Sequence, residues 1–140
     1  MNDAWQRRLL LVAATWNIVG GITALLDPGK HFAQLFTTAL DLTEPLQLFF
    51  FRCVWINVIA WGLAYLLAAF WAASRKAILV AGALGKAAYA AACFALFAGG
   101  IGTNGLFAAG VVDSLFAIFF FAAFLAQRAR GALTAPATNG

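Results

Sequence analysis

Three ionisable side chains, Arg52, Lys86 and Asp113, lie inside stretches of sequence that are otherwise apolar. A charge near the centre of a bilayer costs about 2.5–3.5 kcal/mol on insertion scales, so such residues usually face the interior of a helix bundle and act there. Two bases and one acid could form an ion pair, hold an anion or relay a proton. These residues are therefore the first candidates for a functional site.

Three uncharged polar residues, Asn17, Asn57 and Tyr89, form a second rank of candidates in the same stretches. At 1.5 Å per helical residue, the three charges and both asparagines lie ~9–18 Å from the outer ends of their helices. This shared depth across all four stretches predicts one polar band. Arg52 and Asn57 are five residues apart, about 140° around a helix, so both cannot point straight at one axis.

The composition indicates that lipid covers most of the surface. The chain has 140 residues, of which 64% are hydrophobic and 10% charged, whereas soluble domains carry about 25% charged residues. A helix needs ~20 mostly apolar residues to cross a bilayer. Four stretches meet this requirement and are predicted to span the membrane: residues 9–26, 46–73, 77–98 and 105–126.

The basic residues predict the orientation of these spans. Six of the nine lysines and arginines lie before the first span, between the second and third, and after the fourth. The positive-inside rule then places both termini in the cytoplasm of a bacterial inner (plasma) membrane. In the first external loop, residues 30–40 have apolar residues at helical spacing and predict a short amphipathic helix.

We therefore predict an all-α fold: an integral membrane, antiparallel four-helix bundle with a short amphipathic helix in the first external loop. Residues 1–130 form one transmembrane domain, and residues 131–140, which end in the small and polar run 134–140, form a disordered tail. The lipid bilayer is the first expected partner. A homo-oligomer or a larger membrane complex is a further expected partner.

The polar band admits two interpretations. If Arg52 and Lys86 share a pocket with Asp113, an excess charge of +1 favours a small anionic or amphipathic, lipid-like ligand that the protein binds or passes. Alternatively, the chain is a non-catalytic accessory or assembly subunit, and the buried charges form a structural ion-pair network. Interhelical hydrogen bonds in membranes average ~0.6 kcal/mol and need no catalytic role. The sequence leaves open which base pairs with Asp113.

An enzyme is the less favoured class, because the sequence contains no recognisable nucleophile–base pair or phosphate-binding loop. His31 is the sole histidine and makes no metal site alone. Cys53 and Cys93 form no Cys-x-x-Cys pair and are expected to be buried and inert. We therefore predict no metal and no catalytic residue, and no cofactor is indicated. No basic patch with interleaved aromatic residues indicates nucleic-acid binding.

The pattern across the spans resembles small uncharacterised bacterial four-span integral membrane proteins. The resemblance implies the four-span fold and no activity. It covers most of the chain and is carried by short elements: Phe51-Arg52 with Trp55, Gly62 and Tyr65, then Gly85-Lys86, then Asp113 before a phenylalanine-rich end.

Overall fold

The computed structural model describes residues 2–133, with side chains as far as residue 128. The predicted disordered tail, 131–140, falls mostly outside the described residues, although 131–133 continue the last helix. Within the described part the chain forms five helices: α1 (Asp3–Leu26), α2 (Pro28–Leu35), α3 (Pro45–Phe70), α4 (Ala72–Ala98) and α5 (Asn104–Leu133).

The predicted all-α bundle is confirmed. In the described chain four helices are long and apolar enough to cross a membrane: α1, α3, α4 and the part of α5 up to Arg128. These four helices carry many large apolar side chains that are exposed on the surface of the bundle, as contact with lipid requires. The start of α1, the α3–α4 junction and the end of α5 lie at one end of the antiparallel bundle. We call this the basic end, and the opposite end the α2 end.

Local capping explains where the helices begin. The Glu44 carboxylate accepts hydrogen bonds from the backbone N–H groups of Leu46 and Gln47, and Pro45 occupies the first turn of α3. Asn2 caps α1 in the same way by accepting from the Trp5 N–H at 2.9 Å. Such caps contribute about 1 kcal/mol each, because they satisfy backbone donors that have no partner within the helix.

The junction between α3 and α4 differs from the predicted loop at Ser74–Lys76. The chain turns at Trp71 alone, and those three residues belong to α4. The reason is a side chain: Arg75 donates to the carbonyl oxygens of Ala68 (3.1 Å) and Ala69 (3.3 Å). The last turn of α3 therefore has its free carbonyls satisfied without a longer loop.

The bundle consists of two tight helix pairs, α1 with α3 and α4 with α5. Glycines allow the close approach within each pair. A Cβ at Gly21 would lie 2.4 Å from Ile59, and one at Gly110 would lie 2.9 Å from Cys93. Small residues at such contacts let helix backbones pack closely, which is the main source of helix association in lipid.

The two pairs join at the basic end. Gln127 donates to Gln6 (2.7 Å), which donates to the Ala123 carbonyl (3.4 Å), and this ties α5 to α1. The buried apolar core lies in the same half of the bundle and includes Leu9, Leu10, Ala13, Ala14, Tyr65, Ala68, Ala69, Leu79, Ala83, Phe116, Phe120 and Ala123. The core thus ends about midway along the helices.

Helix α2 crosses the α2 end and is shorter than the predicted helix at 30–40. It ends at Leu35 because the chain then pairs with the α4–α5 loop: the Thr37 N–H donates to the Ile101 carbonyl (2.9 Å) and the Thr103 N–H to the Leu35 carbonyl (3.0 Å). Phe36 and Gly102 form an antiparallel bridge there. This pairing fixes α2 as a roof over the bundle.

Candidate functional site

A buried ion pair joins α4 to α5 where the core ends. Lys86 Nζ donates to Asp113 Oδ1 at 2.7 Å and to Asn17 Oδ1 of α1 at 2.7 Å. Each of these three residues is at most 6% exposed. Because an ammonium only donates, the Asn17 oxygen must face Lys86, and its amide N–H donates to the Val58 carbonyl of α3 at 3.3 Å. We call Asn17, Lys86 and Asp113 the polar cluster; with Val58 it connects all four spans.

Two aromatic side chains complete the surroundings of the polar cluster. Trp16 precedes Asn17 on α1 and lines the same cavity as Asp113, and Lys86 Nζ lies 5.3 Å from the centre of the Phe116 ring. A lysine ammonium has three N–H donors, and two are used in the hydrogen bonds above. The third remains for the Phe116 ring face or for a ligand. The pair is neutral overall and still offers a donor.

The other three residues predicted for the site are not part of the polar cluster. Tyr89 lies one turn beyond Lys86 on α4 and is 38% exposed. Arg52 and Asn57 are exposed on α3, and neither makes an ion pair or hydrogen bond with any described residue. The structure therefore joins three of the six predicted residues by hydrogen bonds, with Tyr89 one turn away on α4.

The position of Arg52 removes the excess charge expected from the sequence. Its neighbours decide its direction: Phe51 is buried, and the Trp55 ring lies 4.4 Å from the His31 ring. With Phe51 and Trp55 turned towards α2, the packing of α3 leaves Arg52 on the outer surface. Of the two bases that the sequence offered, Lys86 alone pairs with Asp113 in the described chain.

Between the polar cluster and the roof lies a cavity of about 1610 Å³. It forms because the two helix pairs are joined at the basic end and separated towards the α2 end. Its walls are mainly aromatic and aliphatic, and they come from all five helices. Besides Lys86, Asp113 and Asn17, the lining includes Trp16, Gly20, His31, Phe32, Phe50, Phe51, Val54, Trp55, Trp61, Tyr65, Gly85, Tyr89, Val112 and Phe116.

His31 is a polar residue of this cavity that the sequence does not place there. The sequence predicts that His31 lies on the short helix of the first external loop, outside the spans. His31 and Leu35 are four residues apart and share one face of α2, but this spacing does not show what that face covers. The pKa of His31 is lowered by burial, which favours the neutral imidazole.

No protein-family model, curated protein or solved structure matches the chain. Among the described residues, no group of three or more histidine, cysteine, aspartate or glutamate side chains could hold a metal ion. Cys93 is buried, whereas Cys53 is exposed, contrary to the expectation that both are buried; both thiols are free.

Proposed function

We propose that this protein binds an amphipathic molecule within the bilayer, with its polar head on the polar cluster and its apolar body in the cavity. The observation that carries the proposal is the buried Lys86–Asp113 pair at the floor of a large apolar cavity. Ligand sites typically combine mostly apolar walls with a few convergent polar groups.

The charge of the site favours a particular head group. Because Asp113 already neutralises Lys86, the site does not demand an anion, and binding a full negative charge would carry a desolvation cost. The remaining Lys86 donor suits a hydroxyl or carbonyl oxygen. The neutral ion pair therefore supports an uncharged amphipathic ligand over an anion. Sites for drug-sized ligands occupy roughly 300–1,000 Å³, so this cavity has room for an apolar tail as well.

Exposed residues of the cavity lining suggest how the ligand enters. Phe50 and Val54 of α3 line the cavity and are 59% and 54% exposed, so the cavity opens sideways between the helix pairs. On α4, Gly85 lines the cavity, and a Cβ there would meet nothing within 4 Å. A lipid-soluble molecule would reach the polar cluster directly from the bilayer.

The proposed location is a bacterial inner membrane, with both termini in the cytoplasm. Arg7, Arg8, Arg75, Lys76 and Arg128 all belong to the basic end of the bundle, which supports this orientation through the positive-inside rule. In this orientation the cavity lies in the outer half of the membrane. Reporter fusions after Trp71 and after Gly102 should report opposite compartments, and cytoplasmic signals at both would overturn the topology.

Filling the cavity tests the proposal. Gly85→Leu projects a side chain into open space, whereas Ala87→Leu adds a similar side chain at an exposed position of α4 that does not line the cavity. Native mass spectrometry of gently solubilised protein should show one bound small molecule in the wild type and in Ala87→Leu, and little in Gly85→Leu. Equal occupancy in all three proteins, or none in the wild type, would refute the proposal.

A second candidate function, an accessory subunit or homo-oligomer, is favoured by Arg52 and Asn57. Intramembrane polar residues usually face a protein interior, yet both are exposed on α3. Arg52 can extend its guanidinium towards the head groups, but Asn57 is too short and suits a partner helix. If Asn57→Leu releases a stoichiometric membrane partner and the wild-type cavity is empty, the accessory function replaces ligand binding.

A further inference from the structure

Asp113 presents an unpaired carboxylate oxygen to the cavity. Its Oδ1 accepts from Lys86 Nζ at 2.7 Å, and Oδ2 accepts no hydrogen bond from a described residue. Oδ2 is not sealed inside the protein, since the one sealed side-chain nitrogen or oxygen without a partner in the described chain is His31 Nε2. Because Asp113 lines the cavity and is only 5% exposed, Oδ2 is reached from the cavity.

A free donor lies directly beside this free acceptor. Lys86 Nζ has three N–H groups and uses two of them, on Asp113 Oδ1 and on Asn17 Oδ1, both at 2.7 Å. Because Asn17 belongs to α1 and Asp113 to α5, the ammonium is held from two helices. The cavity floor therefore offers one N–H donor and one acceptor oxygen on directly bonded partners, close enough for a single small group to contact both.

This combination distinguishes between neutral head groups. A ketone, ester or ether oxygen accepts from Lys86 but gives Oδ2 no donor, and a ligand that displaces water without replacing its hydrogen bond loses affinity. A hydroxyl serves both groups, since it has one O–H donor and two acceptor lone pairs. An amide also donates and accepts, but it brings further polar groups that the apolar walls would leave unpaired.

We propose that the ligand is a lipid-soluble alcohol, whose hydroxyl oxygen accepts from Lys86 and whose O–H donates to Asp113 Oδ2. This inference rests on the proposed function and names the head group, which the proposed function leaves as either a hydroxyl or a carbonyl oxygen. The hydroxyl is uncharged, so the ion pair stays balanced, and the apolar body of the alcohol contacts the aromatic and aliphatic walls.

The test compares two probes that differ in one hydrogen-bond donor. A bromine-terminated undecanol carries the hydroxyl, and its methyl ether keeps the chain, the bromine and the acceptor oxygen. Each is titrated into detergent-solubilised protein while tryptophan fluorescence is recorded, because bromine quenches nearby indoles and Trp16, Trp55 and Trp61 line the cavity. Affinities are expressed per mole fraction of probe in the micelle, which removes differences in partitioning.

The wild type should bind the alcohol about 10- to 100-fold more tightly than the ether, because the ether lacks the hydrogen bond to a charged oxygen. Gly85→Leu should abolish saturable quenching by both probes, and Ala87→Leu should not. The Lys86→Met/Asp113→Leu double variant replaces the ion pair by apolar side chains and keeps the cavity. Its affinities for the two probes should differ by less than about threefold, since neither probe then meets a charged partner.

The outcomes separate this inference from the proposed function. Similar or tighter binding of the ether by the wild type, with Gly85→Leu excluding both probes, overturns the inference and leaves the proposed function standing. A preference for the alcohol that persists in the double variant also overturns it, because the preference then has another source. If circular dichroism shows that the double variant does not fold, the wild-type ratio alone decides. If neither probe shows quenching that Gly85→Leu removes, the proposed function fails for single-chain amphipathic ligands and the inference fails with it.

Discussion

The polar cluster predicts a strong energetic coupling between Lys86 and Asp113. Asp113→Leu leaves a buried ammonium whose remaining hydrogen bond is to Asn17, and both side chains of the pair are only 7% exposed. Removing one partner of a buried ion pair costs about 3–5 kcal/mol, whereas replacing both partners by apolar residues is often close to neutral. The Lys86→Met/Asp113→Leu double variant should therefore be more stable than Asp113→Leu alone.

The coupling can be measured by a double-mutant cycle. The free energy of unfolding of the four proteins would be obtained in mixed micelles with increasing SDS, followed by circular dichroism. The coupling between the two substitutions should reach about 3 kcal/mol, on the scale of breaking one buried pair. A matched cycle of Asp113→Leu with Arg52→Leu should be additive within about 0.5 kcal/mol. Arg52 is exposed and makes no ion pair or hydrogen bond with Asp113.

Either of two results would refute this account of the cluster. Additive effects of Lys86→Met and Asp113→Leu would mean that the two side chains do not stabilise one another. Strong coupling in the Arg52 cycle would mean that Arg52 is the base that neutralises Asp113.

Three further predictions concern other contacts. Asn17→Leu should lower the free energy of unfolding by about 1–3 kcal/mol, because the Lys86 donor and a backbone carbonyl lose their partner; an unchanged unfolding midpoint in SDS would contradict the contact. Arg75→Met should destabilise the protein by about 1–3 kcal/mol through loss of charged hydrogen bonds to α3 carbonyls, and Lys76→Met, as control, should have a smaller effect in the same titration. Gly21→Ala should lower the thermal midpoint, because its Cβ would clash with Ile59. Gly85→Ala should leave that midpoint unchanged or raise it, since alanine favours a helix by roughly 0.5–1 kcal/mol; the reverse order would argue against the two-pair packing.

The fold could be predicted from the sequence because hydropathy and length determine it almost alone. Long apolar stretches with polar interruptions leave few alternatives to a helical bundle in a membrane. The positions of the helix ends could be predicted less well from the sequence. The sequence predicts Arg75 in a loop, and only its hydrogen bonds to the end of α3 explain why the chain turns at Trp71.

The site could be predicted in part. The depths of Asn17, Lys86 and Asp113 along their helices are a local property, which the residue number gives at 1.5 Å per step. The rotation of a helix about its axis is not local, because it depends on which neighbours bury their side chains. For this reason the sequence predicts Arg52 in the pocket, whereas Phe51 and Trp55 turn it outward in the structure.

The position of α2 likewise depends on contacts that are distant in the sequence. The sequence predicts a short amphipathic helix after the first span, but its place above the cavity depends on backbone pairing between residues 35–37 and 101–103. These residues are more than sixty positions apart, and periodicity gives no sign of the contact. His31 consequently belongs to the cavity, and its position could not be derived from α2 alone.

Photocrosslinking in native membranes is the most direct test of the central claim that the cavity holds a specific amphipathic ligand. Val112 lines the cavity, and the adjacent Val111 is 39% exposed on the outside of α5. A small diazirine amino acid at position 112 should give an adduct of one defined small-molecule mass, and the same group at position 111 should give adducts of bulk phospholipids. The same mixture of phospholipid adducts at both positions would contradict the claim.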